Sequence, residues 1–255
     1  MKQVNSPSIA VVVASCDKYS DLWKPYFHQF FTHWNDCPFP VYLIANHLSF
    51  DHQKVITLKS GDDLDWSSSL IAAIGQISYD YLLVLIDDAF FFEKVPTNEL
   101  NKCIEFAVRN SVDFLRLRKD PVPPYSSCST FLLIPPSESY RVQLSATIWK
   151  KDCLLSIIKP GESAWEFEVN GSIRSARFQK FYSLSTNLFS YIHGVEKGLW
   201  INKSAKKLMM MGHKLDFSSR PRMLFRQSIC MYWRLFKQRV FHMFPPKLRN
   251  LLLHR

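Results

Sequence analysis

Residues 81–92 of the chain read Tyr-Leu-Leu-Val-Leu-Ile-Asp-Asp-Ala-Phe-Phe-Phe (YLLVLIDDAFFF). The apolar run at 81–86 has the length and composition of a buried β-strand. Asp87 and Asp88 follow it directly, and an apolar core does not accept two unpaired carboxylates without a large energetic cost. The pair therefore either ends the strand at an exposed turn or binds a cation, for which carboxylate oxygens are the ligands that Mg²⁺ prefers.

The sequence before this stretch predicts alternating strands and helices. An apolar, β-branched run at 8–14 is followed by aromatic residues at helical spacing over 21–34 and by a strand at 41–46. A short strand at 55–58 and a helix over 67–78 come next. This order is typical of a parallel α/β sheet. Ligands of such sheets bind outside the carboxyl ends of the strands, which is where the acidic pair falls.

The sequence after this stretch predicts further elements of the same kind. They are a helix over 97–110, a strand over 113–118, strands or a hairpin within 129–149, a helix over 149–158, and a loop that becomes a helix after 161. Strand and loop are expected over 180–195. We therefore predict one α/β domain over residues 1–200 and a separate segment over 201–255.

Net charge separates these two parts. The 255 residues carry a net charge of +10, and 47% of them are hydrophobic, as in ordinary globular proteins. Residues 200–255 contain 13 Lys or Arg and one acid, Asp216, whereas residues 1–199 contain 19 Lys or Arg and 21 acids. The basic character belongs to the C-terminal segment, which argues against nucleic-acid binding by the main domain.

The C-terminal stretch 220–255 interleaves Arg and Lys with Met, Leu, Phe, Trp and Tyr and contains no acid. This pattern predicts a basic amphipathic helix on an anionic membrane. A helix packed on the domain and an RNA-binding segment are the alternatives.

The location expected from the sequence is the cytoplasm. The six cysteines form no CxxC pair, the N-terminal apolar run is too short for a signal peptide, and no segment reaches the length needed to cross a bilayer. Together with the basic segment, this predicts a peripheral protein on the inner face of the cell membrane.

Five stretches together resemble GT-A glycosyltransferases, and more narrowly those of bacterial surface-polysaccharide (capsule or lipopolysaccharide) synthesis. They are SCDKYSDLWKPY (15–26), DWSSSL (65–70), YLLVLIDDAFFF (81–92), TIWKK (147–151) and ESAWEFEVNGS (162–172). The resemblance covers about residues 8–200. It implies an α/β fold with a mixed, mostly parallel sheet, flanking helices and a basic helical C-terminal tail. It also implies sugar transfer from a nucleotide-diphosphate sugar to a glycan or polyprenyl-linked acceptor.

The resemblance also implies site residues. Asp87, Asp88 and a late histidine, His193, would hold Mn²⁺ or Mg²⁺, although Ala89 after the acids departs from the spaced DxD form. The implied nucleotide-binding residues are Ser15, Asp17, Tyr19, Asp63, Trp66 and Asp87.

The acidic cluster at 162–168 contains the candidates for the catalytic base of an inverting transferase, which must deprotonate the acceptor hydroxyl. The resemblance favours Glu168, then Glu166. The residues alone also allow structural roles: helix capping in the loop at 15–19, a core position for Trp66, acids attracted to a helix N-terminus at 162–168, and a structural role for His193.

Two other functions compete with sugar transfer. A sugar-phosphate nucleotidyltransferase also needs metal-bound phosphates, but the loop after the first strand lacks the many glycines and basic residues of that class. A non-catalytic membrane or RNA adaptor would use the basic segment alone. The sequence contains neither a P-loop nor a GxGxxG after its first strand, which argues against both corresponding nucleotide-binding classes.

Overall fold

The computed structural model describes residues 9–119 and 129–242. The strands in these residues are β1 (Ile9–Ala14), β2 (Val41–Ala45), β3 (Val55–Lys59), β4 (Tyr81–Ile86), β5 (Ala89–Phe91), β6 (Phe114–Arg116), β7 (Phe131–Leu133), β8 (Thr147–Lys150), β9 (Phe181–Leu184), β10 (Tyr191–His193), β11 (Val195–Glu196) and β12 (Leu199–Trp200). The α-helices are α1 (Ser20–His33), α2 (Trp66–Ile74), α3 (Thr97–Arg109), α4 (Lys151–Ile157), α5 (Ala164–Arg174), α6 (Asn202–Met210) and α7 (Phe225–His242).

Eight strands form one mixed sheet in the order β3-β2-β1-β4-β8-β6-β9-β7. Strands β3, β2, β1 and β4 run parallel to one another, whereas β8 is antiparallel to both of its neighbours. Strand β9 is parallel to β6, and β7 pairs antiparallel with β9. The mixed, mostly parallel α/β sheet with flanking helices predicted from the sequence is confirmed.

Strand β1 lies between β2 and β4, and all six of its residues are buried. Its side chains alternate between the two faces of the sheet. Val11 and Val13 belong to the cluster that contains the aromatic residues of α1, and Ala10 and Val12 belong to the cluster that contains Leu70 of α2. Helices therefore cover both faces, which explains the uninterrupted apolar sequence of the strand.

Helix α6 is continuous with the main core although the sequence analysis assigns it to the C-terminal segment. Ala205 and Leu208 are buried in the same cluster as Val13. Helix α7 differs, since most of its apolar side chains are exposed. Within the described parts of the chain, no helix is both long and apolar enough to cross a membrane.

The short strand β5 is absent from the sequence prediction. It follows the acidic pair after only a two-residue turn and pairs antiparallel with β10, about a hundred residues later in the chain. Its conformation depends on this distant partner, and a three-residue aromatic run carries no local signal that distinguishes it from a loop.

Candidate functional site

A cleft of about 890 Å³ lies at the carboxyl ends of β1 and β4. Most of the site residues predicted from the sequence line it: Ser15, Tyr19, Asp63, Trp66, Asp87, Asp88, Glu168 and His193. Asp17 and Glu166 are not among the lining residues. The structure thus brings together residues from separate segments of the chain at one edge of the sheet.

Ser15 and Asp87 begin one wall of the cleft. They are adjacent because β1 and β4 are parallel neighbours in register, with Ala14 opposite Ile86. The hydroxyl of Ser15 donates a hydrogen bond to Asp87 Oδ2 and accepts one of 2.7 Å from Trp23 Nε1. Ser15 therefore connects the acidic pair to the buried face of α1.

Asp88 is brought to His193 by the pairing of β5 with β10, in which Ala89 lies opposite His193. The carbonyl of Asp88 accepts a 2.7 Å hydrogen bond from Gly194 N–H. His193 Nδ1 lies 3.6 Å from Asp88 Oδ1. The late histidine and the acidic pair thus meet at the cleft although the sequence separates them widely.

Asp87, Asp88 and His193 supply part of the ligand set that a divalent cation needs. Burial, together with the charge of Asp88, raises the pKa of Asp87 well above its usual value. Asp88 Oδ1 is buried and has no hydrogen-bond partner in the structure. However, no three His, Cys, Asp or Glu side chains converge into a ready-made metal site within residues 9–119 and 129–242. Asp88 and His193 therefore suit a metal that takes its other ligands from phosphate oxygens and water.

Asp17 joins two loops instead of facing the cleft. Its carboxylate accepts hydrogen bonds of 2.9–3.3 Å from the backbone N–H groups of Asn46, His47 and Leu48. Partial burial opposes ionisation, but these hydrogen bonds hold the pKa of Asp17 below its usual value. Asp17 fixes the loop after β1 against the loop after β2, and its predicted contact with a nucleotide stays a prediction.

Tyr19 is in contact with the C-terminal segment. The guanidinium of the buried Arg220 lies 4.3 Å from the centre of the Tyr19 ring. Arg220 also makes two 2.8 Å hydrogen bonds to Asp21 and one to the carbonyl of Lys18. This cation–π and ion-pair arrangement restricts the ring that lines the cleft.

Asp63 and Trp66 line the cleft at the start of α2. Asp63 forms an exposed 2.7 Å ion pair with Lys18, in the loop after β1. Trp66 is half-buried and packs on Phe167 with ring centres 5.6 Å apart. The indole thus belongs partly to the core and partly to the cleft.

Glu168 and Glu166 lie in α5 but differ in what their carboxylates contact. Glu168 faces the cleft, and its Oε1 accepts a 3.1 Å hydrogen bond from Leu144 N–H. Glu166 completes a capping box with Ser163, whose backbone N–H and hydroxyl both donate to Glu166 Oε2. Glu166 therefore stabilises the start of the helix.

The structure adds cleft residues that the sequence analysis did not single out. Ser69 is buried, its hydroxyl has no hydrogen-bond partner in the structure, and it lines the cleft. Arg118, Lys197 and Arg234 also line the cleft, and Arg234 forms a 2.6 Å ion pair with Glu196 of the same lining. Nothing in the sequence distinguishes Ser69, Arg118 or Arg234 from other serines and arginines of helices and strands. Lys197 could have been found by its position four residues after His193.

No protein-family profile and no curated protein sequence matches the chain. Residues 1–349 of TarS from S. aureus match it with a TM-score of 0.50 at 15% identity, over 80% of this chain and 64% of that one. The mannosyltransferase PcManGT from Pyrobaculum calidifontis, in complex with GDP-Man and Mn²⁺, matches with a TM-score of 0.52 at 12% identity. That match covers 76% of this chain and 59% of the mannosyltransferase. Both neighbours are GT-A-like glycosyltransferases.

This chain has a GT-A-like glycosyltransferase fold. It spans less than two thirds of the length of either neighbour. At these identities the comparison establishes the fold alone. In this GT-A-like fold the cleft lies at the carboxyl ends of the parallel strands, where α/β sheets generally bind their ligands.

Proposed function

We propose that the chain is a metal-assisted glycosyltransferase that uses a nucleotide-diphosphate sugar as donor. The observation that carries this proposal is the meeting of Asp87, Asp88 and His193 in the lining of one large cleft at the carboxyl ends of β1 and β4. Ligands of α/β sheets bind at this edge, and carboxylates beside a histidine there favour a metal-bound ligand. The fold supports a nucleotide sugar as that ligand.

Asp88 and His193, with Asp87 behind them, would hold Mn²⁺ or Mg²⁺. A bound divalent cation would neutralise the charge that develops on the nucleoside diphosphate as it leaves the sugar. The protein supplies two adjacent carboxylates, one of them hydrogen-bonded to Ser15 and the other with an oxygen that lacks a hydrogen-bond partner. The mannosyltransferase with a similar fold binds GDP-Man and Mn²⁺, which supports a metal-bound donor here.

The nucleotide would lie between the loop after β1 and the start of α2. Tyr19 offers a ring already fixed by Arg220, and Trp66 offers a half-buried indole. A rigid aromatic side chain binds a flat base with little loss of conformational entropy. Ser15 and Asp63 add polar groups to the same part of the lining, as the sequence resemblance implies.

Glu168 would act as the general base. Its carboxylate would take the proton from an acceptor hydroxyl while that oxygen attacks the anomeric carbon and the nucleoside diphosphate leaves. A single displacement of this kind inverts the anomeric configuration. The hydrogen bond from Leu144 N–H orients the carboxylate towards the cleft, which suits a base.

Helix α7 supports an acceptor at an anionic membrane, such as a polyprenyl-linked or surface glycan. Its exposed apolar side chains recur at helical spacing on one face: Phe225, Ile229, Tyr232, Trp233, Phe236 and Val240. Soluble helices normally bury such a face. Because residues 200–255 are strongly basic, the partner proposed for this face is an anionic bilayer on the cytoplasmic side.

Calorimetric titration with UDP, GDP, dTDP and CMP, with and without Mn²⁺, tests the donor site. We expect one nucleotide to bind only with Mn²⁺, and Asp88→Asn to abolish this binding. Asp51→Asn, which changes an exposed acid outside the cleft lining, is the matched control and should bind as wild type. A folded protein that binds none of these nucleotides would refute the proposal. Release of pyrophosphate from a nucleoside triphosphate and a sugar phosphate would favour the nucleotidyltransferase instead.

Co-sedimentation with liposomes tests the membrane surface. The wild type should bind phosphatidylserine-containing liposomes and not pure phosphatidylcholine, and the double variant Trp233→Ser/Phe236→Ser should remain in solution. Ile173→Ser, which replaces an exposed apolar residue on α5, is the control. Equal binding of the double variant and wild type would refute membrane docking. A dimer in sedimentation velocity that the double variant does not form would also refute it, because the apolar face of α7 would then be buried between two copies of the chain.

A further inference from the structure

Trp165 is an exposed aromatic residue at the edge of the cleft. It lies in the first turn of α5 and lines the cleft, yet 60% of its surface is accessible to solvent. The other exposed apolar residues of this helix, Val169 and Ile173, are not among the lining residues. A large indole that faces an open cleft is a binding surface for a flat or partly apolar ligand.

The indole is supported by a residue with an unusual backbone. Tyr140 contacts Trp165 edge to face, with ring centres 6.0 Å apart and planes at 62°. Its φ of 52° lies in the left-handed region, which a residue with a side chain rarely adopts. Arg116 donates a 2.9 Å hydrogen bond to the carbonyl of Tyr140 and fixes this conformation. Strained backbone held in this way is concentrated at functional sites.

The same segment that supports Trp165 also orients Glu168. Leu144, four residues after Tyr140, donates its N–H to Glu168 Oε1 at 3.1 Å. Residues 165 and 168 are three apart in one helix, so their side chains leave the same face with about 5–6 Å between Cβ atoms. One segment, 140–144, therefore holds the indole and the carboxylate side by side at the cleft.

We infer that Trp165 and Glu168 form the subsite for a pyranose ring of the acceptor, an inference that rests on the proposed function. The C–H face of a pyranose is apolar and would stack on the indole, while its hydroxyls need hydrogen-bond acceptors such as the Glu168 carboxylate. Stacking on an indole needs no charge on the ligand, so the ligand that we propose for this subsite is a neutral sugar and not the charged part of the donor. Stacking on Trp165 would hold one hydroxyl of that ring at Glu168.

Saturation-transfer NMR with methyl glycosides of glucose, galactose, mannose and N-acetylglucosamine tests this subsite on the full chain. We expect transfer to the ring protons of at least one glycoside. Trp165→Ala should weaken its binding about tenfold or more, and Trp165→Phe should keep most of it. Ile173→Ala, on the same helix but outside the cleft lining, should bind as wild type.

The same samples, titrated with nucleoside diphosphates and Mn²⁺, separate this inference from the proposed function. If the protein binds a nucleoside diphosphate but its glycoside binding does not depend on Trp165, the acceptor subsite is overturned and the proposed function stands. A loss of diphosphate affinity in Trp165→Ala also overturns it, because the indole would then contact the donor. Trp165-dependent glycoside binding by a protein that binds no diphosphate would leave a sugar subsite and refute the transferase.

Discussion

Ser15 and Asp87 share a hydrogen bond although 72 residues separate them in the chain. The contact exists because β1 and β4 are parallel neighbours, so that the first residue after each strand reaches the same edge of the sheet. The Ser15 hydroxyl also accepts from Trp23 Nε1. A small serine at this position therefore links the acidic pair, the central sheet and helix α1.

Replacing Ser15 by alanine should lower the free energy of unfolding by about 1–3 kcal/mol, because it leaves the partly buried Trp23 N–H and the Asp87 carboxylate without this partner. Urea unfolding monitored by circular dichroism measures the change. Ser137→Ala, at an exposed loop position, should change stability by less than about 0.5 kcal/mol. Equal stability of both variants would mean that the Ser15 hydrogen bonds contribute nothing.

Gly194→Ala should displace His193 from Asp88. A Cβ at residue 194 would overlap the buried ring of Phe90 and lie 3.1 Å from the buried ring of Trp200. Neither ring has space to move, so the backbone of β10 must shift, at a cost of about 1–3 kcal/mol. We expect lower thermal stability together with weaker Mn²⁺-dependent nucleotide binding. Wild-type binding in this variant would show that His193 is not needed at the metal.

Glu168→Gln should abolish sugar transfer and leave donor binding intact. The amide oxygen of glutamine can still accept the hydrogen bond from Leu144 N–H, so the local structure should persist, but an amide cannot take a proton. Loss of a general base reduces kcat by about 10²–10⁴. Turnover assays and nucleotide titration on the same sample measure the two effects. Unchanged turnover would eliminate Glu168 as the base.

Asp65 should make the start of α2, which borders the cleft, sensitive to acid. It is the N-cap of this helix, and the hydrogen bond from Ser68 N–H is the main reason that its pKa is lowered to about 2. A carboxyl group whose pKa is lower in the folded than in the unfolded chain stabilises the fold at pH values above its unfolded pKa, which is near 3.8. This contribution is lost as the pH falls towards the folded pKa of about 2.

Asp65→Ala should therefore cost about 1 kcal/mol at pH 7, and the difference from wild type should shrink between about pH 4 and pH 2. Asp65→Asn keeps a cap without an ionisable group and is the matched control. Urea unfolding at several pH values measures both variants. A difference between wild type and Asp65→Ala that does not change with pH would contradict the assignment.

The structure also changes how the C-terminal segment should be removed in experiments. The buried Arg220 pairs with Asp21, and Met223 is buried as well. A truncation before residue 220 would therefore uncover a carboxylate in the first turn of α1 and remove the support of Tyr19. A chain that ends after residue 224 keeps these contacts, but it also removes Arg234, which lines the cleft and pairs with Glu196 at 2.6 Å.

Much of the fold could be predicted because its signals are local. The apolar runs at β1, β2 and β4, the helical spacing of aromatics in α1 and the acids at the end of β4 each depend on neighbouring residues only. Strand β5 and the pairing of β11 with β12 could not be predicted in this way, because such short elements are stabilised only by partners elsewhere in the structure.

The sequence by itself determined the alternation of elements, the position of the acidic pair at a strand end and the concentration of positive charge after residue 200, since each follows from the order of residue types. Only the tertiary structure decided that Asp88 meets His193, that Glu168 faces the cleft while Glu166 caps its helix, and that Tyr140 and Leu144 orient Trp165 and Glu168. These relationships depend on strand register and on which face of a helix is turned towards the cleft. Both are set by packing between segments that are far apart in the chain.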